Sequence, residues 1–379
     1  NQLKNFEKKF PLRLYICRKC HHLQLLDVVD KKYLFSNYHY FTSANKPIIE
    51  HFKKYADHVF KKILKEKDNP FVIEIGSNDG TLLKQFKKNN VNVLGIEPAK
   101  NLAEISRKSK IKTENKFFNL SLAKKIVKKQ RADLVIANNV LGHVDDLHEF
   151  IMGVKKMLKD DGVFMFEVPH ALNLIKKLEF DTIYHEHISY FSIIPLSDWL
   201  KKYELEIFNL ERKNVHGGTI RVYVSKKNNF KQNNVVKKMK ILEKEFGMRK
   251  ITTYRNFSKQ VYNLKKILRK RVLDLKNDQK IIFGYGAPAK GNVMLNFCEI
   301  DNKILEFITD TTKIKQGKFT PGTKIKIIDP KNRPKKNSKM VALLLAWNYQ
   351  SAIMKNEKKY IKSGGRFLIP IPTPKIISK

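Results

Sequence analysis

Cysteine, acidic residues and long apolar runs are all scarce in this chain. Three cysteines in 379 residues exclude a disulfide framework. A chain of this length can bury sizeable cores without covalent staples. No uninterrupted apolar run reaches about 18 residues, so no membrane-spanning helix is expected. The opening stretch, "NQLKNFEKKFPLRL", has no apolar h-region and does not read as a secretory signal. It also lacks an initiator methionine, so the chain is expected to begin inside a longer protein. These absences point to a cytoplasmic protein of two to three domains.

Acidic residues number 36 against 76 Lys and Arg, a formal net charge of +40. Such a balance suits nucleic acid or an anionic surface. It also suits a Lys-rich composition that coats every solvated face. The lysines run along the whole chain without an Arg-rich arm, which favours the second reading, with some help toward a phosphorylated ligand. Neither a specific nucleic-acid partner nor a membrane is expected. With 42% hydrophobic and 30% charged residues, the chain reads as globular.

What is present alternates in period. "FVIEIG" (71–76), "NVLGIEP" (92–98), "ADLVIANN" (132–139) and "GVFMFEVP" (162–169) read as strands. Helical patterns fall between them, the last over 146–160 and stopped by Asp-Asp-Gly. This order predicts a parallel sheet covered on both faces. "LEIFNLER" and "TIRVYVS" predict an antiparallel pair, residues 233–276 a long helical stretch, and "KIIFGYGAPAKGNVMLNFC" a second α/β unit. The expected division is a small N-terminal module (1–52), a Rossmann-like domain (53–205) and a second Rossmann-like α/β domain (206–379).

Two glycine turns carry chemistry. "EIGSNDG" places Glu74, Gly76, Asn78 and Gly80 where a strand turns into a helix, and glycine there lets backbone approach a ligand closely. Glu97 ends the next strand, where a carboxylate accepts from ribose hydroxyls. The spacing is G-x-x-x-G rather than G-x-G-x-x-G, the pattern of S-adenosylmethionine binders, whose ligand has no pyrophosphate. The alternative is a structural βα turn. Asn138 and Asn139, closing the third strand, join the candidate cofactor set. "GYGAPAKG" (Gly284, Gly286, Gly291) offers a second nucleotide or phosphate site beside Lys290, or only an echo of such a turn.

"FDTIYHEHISYFS" (180–192) crowds Tyr184, His185, Glu186, His187 and Tyr190 together. Neither a surface loop nor a core strand needs that mixture. His143, at a strand's carboxyl end, and Tyr38, beside two other aromatics, fit core or capping roles as readily as a site. His143, His185, His187 and His216 could also ligate a metal. "HGGTIR" offers His216 and Arg221 as ligand contacts, Arg221 bidentate to a phosphate, or simply a hairpin. Cys17 and Cys20 in "CRKC" are half of a four-cysteine zinc site. Cys298 stands alone, as a buried small residue.

Together these segments resemble the sugar C-methyltransferases that act on nucleotide-linked 4-keto deoxysugars in bacterial antibiotic and lipopolysaccharide pathways. "CRKCHHLQL", "LFSNYHYFTS", "EIGSNDGTLL", "NNVLGHVDDLHEF", "FDTIYHEHISYFS", "HGGTIRVYV", "GYGAPAKG" and "GGRFLIPIP" run in family order over nearly the whole chain. The resemblance implies an N-terminal zinc module, a central class I methyltransferase domain for S-adenosylmethionine and a C-terminal Rossmann-like substrate domain. It implies methylation at C3, with His187 as base and Tyr184, Glu186, His143 and Tyr38 around the sugar. His185, His216, Arg221 and Lys290 would contact the rest of the substrate. The family's zinc module opens with a second CxxC pair upstream, which this chain lacks. Zinc is therefore expected only in a longer protein.

Overall fold

The computed structural model describes every residue except 1–5, 39, 45, 214–216, 336 and 379. The chain forms two compact units. One comprises Arg13–Ala171 and His185–Arg249; the other comprises Asn1–Leu12, Leu172–Tyr184 and Lys250–Lys379. The segment Arg13–His51 thus belongs to the same body as the first glycine turn.

The first unit is built on a seven-stranded sheet. Its spatial order is Thr113–Glu114, Asn92–Ile96, Phe71–Ile75, Ala132–Ile136, Leu158–Pro169, Thr219–Lys226 and Leu205–Lys213. The first five strands are parallel and the last two antiparallel. Phe71–Ile75, Ala132–Ile136 and the second half of Leu158–Pro169 are nearly continuous buried runs because both of their faces are covered. Ile73, Ile75, Val135 and Phe164 face one core, and Val72, Leu134, Ile136 and Met165 face the other. Phe71–Ile75 lies in the middle, with later strands on either side. Strand order therefore reverses at its carboxyl end, where open α/β sheets hold ligands. Gly76, Glu97 and Asn138 all follow strands that end there. A three-stranded antiparallel sheet, Leu14–Ile16, Leu23–Leu25 and Ser189–Tyr190, completes this unit.

The second unit repeats the scheme. Its six-stranded sheet runs Ile327–Ile328, Ile308–Thr309, Ile281–Tyr285, Met340–Leu344, Arg366–Ile369 and Lys375–Ile377, parallel except for the last strand. Ile281–Tyr285 is again central and first in the chain, and Phe283, Ala342, Leu344 and Phe367 make its core. The expected α/β class with two Rossmann-like units is what the chain adopts.

Two local expectations need correction. The helix expected over 146–160 ends at Met157, and the strand Leu158–Pro169 runs through Asp-Asp-Gly rather than starting after it. Leu158 pairs with Ala132, with an irregularity before Leu134, so pairing to a neighbour overrides the local turn signal. The helical stretch over 233–276 is two helices, Asn234–Phe246 and Ile251–Asn277. Gly247, at φ +86°, takes the left-handed cap that ends the first.

Candidate active site

The first glycine turn is shaped by its own backbone. Gly76 sits at φ +68°, and a Cβ there would lie 2.5 Å from Val140 Cγ2. Gly80 sits at φ +77° against Ser106 Oγ. Between them Asn78, at φ +50°, donates its backbone N–H to Glu97 Oε2 at 2.8 Å, and Ala99 N–H donates to Glu97 Oε1 at 2.9 Å. Each Glu97 oxygen keeps a second lone pair for a ligand hydroxyl. Burial raises the Glu97 pKa, against the lowering effect of those two N–H groups. Glu74 is buried with Oε2 lacking a partner, and Ser77 Oγ is likewise buried and unpaired. Burial, with Asp79 and Glu97 nearby, pushes the Glu74 carboxyl well above its ordinary range. Buried polar atoms left unsatisfied in an apolar setting are costly, which is the mark of a turn made to receive a polar ligand. Asn138 is buried beyond the third strand, and Asn139, at φ +55°, donates its N–H to Glu167 O. The residues present fit a nucleoside-bearing cofactor.

The histidine-rich segment is bent rather than extended, with a turn at His185 and Glu186. Past the turn it is fixed by backbone bonds. Ile188 N–H donates to Gly142 O at 2.6 Å, and Leu25 N–H donates to Ile188 O at 2.8 Å. Gly142 precedes His143 and Ile188 follows His187, so this pairing brings the two imidazoles together. Their ring centres are 5.1 Å apart, edge to face. Phe35 packs on the other side of His143 at 5.3 Å, and Tyr190 lies 6.5 Å from His187. Burial, with His187 close by, pushes His143 down to about 3, so it is neutral at physiological pH. Its Nδ1 is buried without a partner. Tyr38 Oη donates to Glu186 Oε2 at 2.8 Å. Burial raises Glu186, partly offset by that bond. His143, Glu186, His187 and Tyr38, spread over 150 residues of sequence, thus share one region of the first unit. His185 is half-buried on the same turn and lies close enough to Asp27 to act on its charge. Tyr184 falls on the far side of the unit boundary, as the last residue of Leu172–Tyr184. His216 lies outside the described residues.

Arg221 has a different setting from the one expected. It is 2% exposed. Its Nη2 and Nε meet Glu167 Oε1 at 2.7 and 2.8 Å, its guanidinium lies 3.8 Å above the Tyr55 ring, and Nη1 is 3.6 Å from Glu211. His51 Nε2 meets the other Glu167 oxygen at 2.9 Å. This is an ion pair of the core, and its guanidinium has no open fork for a phosphate.

In the second unit, Lys290 Nζ lies 3.8 Å over the Trp347 ring. Trp347 Nε1 donates to Asp181 Oδ2 at 2.7 Å, and Asp181 is fully buried. Burial brings Lys290 down to about 8, against Asp181 and Glu179, and raises Glu179 to about 7 and Asp181 to about 6. The turn itself copies the first unit. Gly286 sits at φ +81°, Ala287 N–H donates to Asp310 Oδ2 at 2.7 Å, and Thr312 N–H donates to Asp310 Oδ1 at 2.7 Å. Asp310 stands to this turn as Glu97 stands to the other. Its sequence signal was an acid ending "ILEFITD", and sequence reasoning passed over it.

Cys20 N–H donates to Cys17 Sγ at 3.5 Å, so the pair is a formed knuckle. Among the described residues no group of three or more His, Cys, Asp or Glu gathers to hold a metal, and the four-histidine grouping is not seen there. Two thiolates do not complete a tetrahedral zinc shell. No helix among the described residues is long and apolar enough to cross a membrane.

Comparison with known proteins gives the family. Residues 48–210 match the family described as a methyltransferase domain, and residues 214–372 match the C-methyltransferase C-terminal domain. The C-methyltransferase NovU of Streptomyces niveus is 35% identical over 374 residues, 98% of this chain and 89% of that protein. The ubiquinone biosynthesis O-methyltransferase of Pelagibacter ubique (strain HTCC1062) is 24% identical over 160 residues, 40% of this chain and 65% of that protein. Among solved structures, the PH0226 protein from Pyrococcus horikoshii OT3 superposes with a TM-score of 0.41 at 13% identity, covering 50% of this chain and 95% of that one. The chain belongs to the S-adenosylmethionine-dependent C-methyltransferases.

Proposed function

We propose that this chain methylates C3 of a nucleotide-linked 4-keto deoxysugar. The observation that carries the reading is the pairing of His187 with a neutral His143, 5.1 Å apart, next to a Tyr38–Glu186 hydrogen bond. A ketone at C4 acidifies the neighbouring C3–H, but far less than an imidazolium is acidic. A base alone is therefore insufficient, and donors must meet the oxyanion as it forms. His187 takes the C3 proton. The electron pair moves onto C4–O as an enolate, and then returns to form the new C–C bond. S-adenosylmethionine, when bound, supplies an electrophilic methyl and leaves as the neutral thioether.

His143 supports this without competing for the proton, because burial keeps it uncharged. Its unpaired Nδ1 is free to bond the sugar or a water. Tyr38 and Glu186 line the sugar. Glu74, Gly76, Asn78, Gly80, Glu97, Asn138 and Asn139 hold the cofactor at the first glycine turn. The glycine turn of the second unit is a nucleotide site in its own right, with Asp310 for the ribose and Lys290 for the diphosphate.

The test is proton exchange. With substrate in deuterated water and a non-reactive cofactor analogue, the wild type should wash deuterium into C3. His187→Ala and His187→Asn should not, and both should lose methyl transfer while binding the cofactor normally. Exchange at the wild-type rate in these variants assigns the base elsewhere.

A further inference from the structure

The sequence around Tyr38, "SNYHYFTS", contains nothing that would hold a loop in one place. The structure supplies the hold from outside. Asn101 Oδ1 accepts the Tyr38 N–H at 3.2 Å, and Asn101 Nδ2 donates to Tyr38 O at 2.8 Å. One side chain thus binds both backbone groups of one residue, as a neighbouring strand would. Lys100 N–H donates to Ser36 O at 3.2 Å just before it. Further along, Asn78 Oδ1 accepts Thr42 N–H at 3.1 Å and Asn78 Nδ2 donates to Tyr40 O at 3.0 Å. Asp79 Oδ2 accepts Ser43 N–H at 2.8 Å.

Every one of these ties comes from the cofactor side. Asn78 and Asp79 belong to the first glycine turn, and Asn78 is itself bonded to Glu97 through its backbone. Asn101 stands four residues after Glu97, in the first turn of the helix Lys100–Lys108. Two connections therefore run from the cofactor turn to the strap, residues 36–38 and 40–43. The hydroxyl at the strap's centre reaches Glu186, 148 positions away in the chain. A tyrosine on an exposed loop has many rotamers and backbone states, and fixing one of them is costly unless something holds the backbone. The asparagine amide holds it at both ends of the residue.

We propose that Asn101 is a positioning residue for methyl transfer. It clamps the Tyr38 backbone so that the phenol sits on Glu186, and with Asn78 it ties the sugar-facing strap to the cofactor turn. The proposal rests on the reading of Tyr38 and Glu186 as sugar-facing groups. Its consequence is that Asn101 acts through Tyr38 and not on the cofactor.

A double-mutant cycle tests this. Methyl transfer to thymidine-diphosphate-linked 4-keto-6-deoxyglucose is measured for wild type, Asn101→Ala, Tyr38→Phe and the double variant. Loss of two neutral hydrogen bonds should lower kcat of Asn101→Ala about tenfold. Calorimetric affinity for S-adenosylhomocysteine should stay near normal. In the Tyr38→Phe background, Asn101→Ala should add nothing to the loss in kcat. Full additivity overturns the proposal while leaving Tyr38 a sugar-facing group. A harmless Tyr38→Phe refutes that earlier reading and the proposal with it. A measurement without sugar stands beside these. Amide exchange over residues 36–44, read by mass spectrometry, should quicken several-fold in Asn101→Ala while residues 71–80 stay protected. Unchanged exchange in the strap also overturns the clamp.

Discussion

The Arg221–Glu167 pair separates a structural from a ligand-binding role, and the size of the effect follows from its setting. Both side chains are 2% exposed. Arg221→Met keeps the bulk over Tyr55 but removes the cation. Glu167 would then be buried with His51 as its remaining close partner on the far oxygen. Breaking a buried pair on one side costs roughly 3–5 kcal/mol, because the surviving charge is uncompensated. The contact over Tyr55 adds to this, but not independently, since the same guanidinium makes both. For a body of this size each kcal/mol shifts the melting temperature by about 2–4 °C, so a fall of roughly 6 °C or more is expected. Glu167→Leu in the Arg221→Met background should recover much of it, since no charge is left buried. The pH response gives an independent sign. Burial pushes the Glu167 carboxyl up, but His51 and Arg221 outweigh it and the net shift is downward. A depressed carboxyl adds stability above its ordinary pKa and loses it as pH falls through the folded value. Arg221→Met should therefore flatten the acid limb of the stability curve. The assay is thermal and urea unfolding across pH 3–8, alongside substrate KM. Unchanged stability with a raised KM would refute the reasoning and return Arg221 to the substrate.

Three further outcomes are expected. Glu97→Ala removes the proposed ribose acceptor and should cost roughly 1–3 kcal/mol in S-adenosylmethionine binding by calorimetry; unchanged affinity would place the cofactor elsewhere. His143 takes its proton near pH 6.5 when unfolded and only near 3 when folded. The unfolded state therefore binds more protons below about 6.5, and stability falls as pH drops through that window. His143→Asn should reduce that slope in unfolding measured at pH 4–7, and an unaltered slope contradicts the assignment. Cys17 and Cys20 should hold less than one zinc per chain after dialysis, read by elemental analysis, since the described residues bring no third ligand to them.

The strands around the first glycine turn were legible because apolar runs and glycine punctuation are local signals. Gly76, Gly80 and Glu97 could be placed for the same reason: a βα turn fixes where its neighbours go. The helix end near Met157 was misplaced because Leu158 answers to Ala132, which lies 26 positions away. For Arg221 the local sequence left a phosphate contact and a simple hairpin equally open, and the strand pairing follows the hairpin. Arg221's partners, Glu167, Glu211 and Tyr55, are spread over more than 100 positions and leave no local trace. Tyr38 was found through resemblance, but Asn101 was not found at all. An asparagine in a helix's first turn looks like any other until the strap is seen lying across it.

Glu97 and Asp310 each accept from two backbone N–H groups, one from the neighbouring glycine turn and one from two residues beyond the acid itself. That arrangement bears on what binding must spend on ordering. A glycine turn left loose would have to freeze several residues as its ligand docks, at about 1–2 kcal/mol for each backbone. Here a carboxylate of the protein ties the turn, so less of its order has to come from the ligand. It also makes the acid irreplaceable by its amide. Gln or Asn presents one oxygen and one NH2, and the NH2 would face an N–H. Glu97→Gln and Asp310→Asn are nearly isosteric changes, yet each should loosen the whole turn.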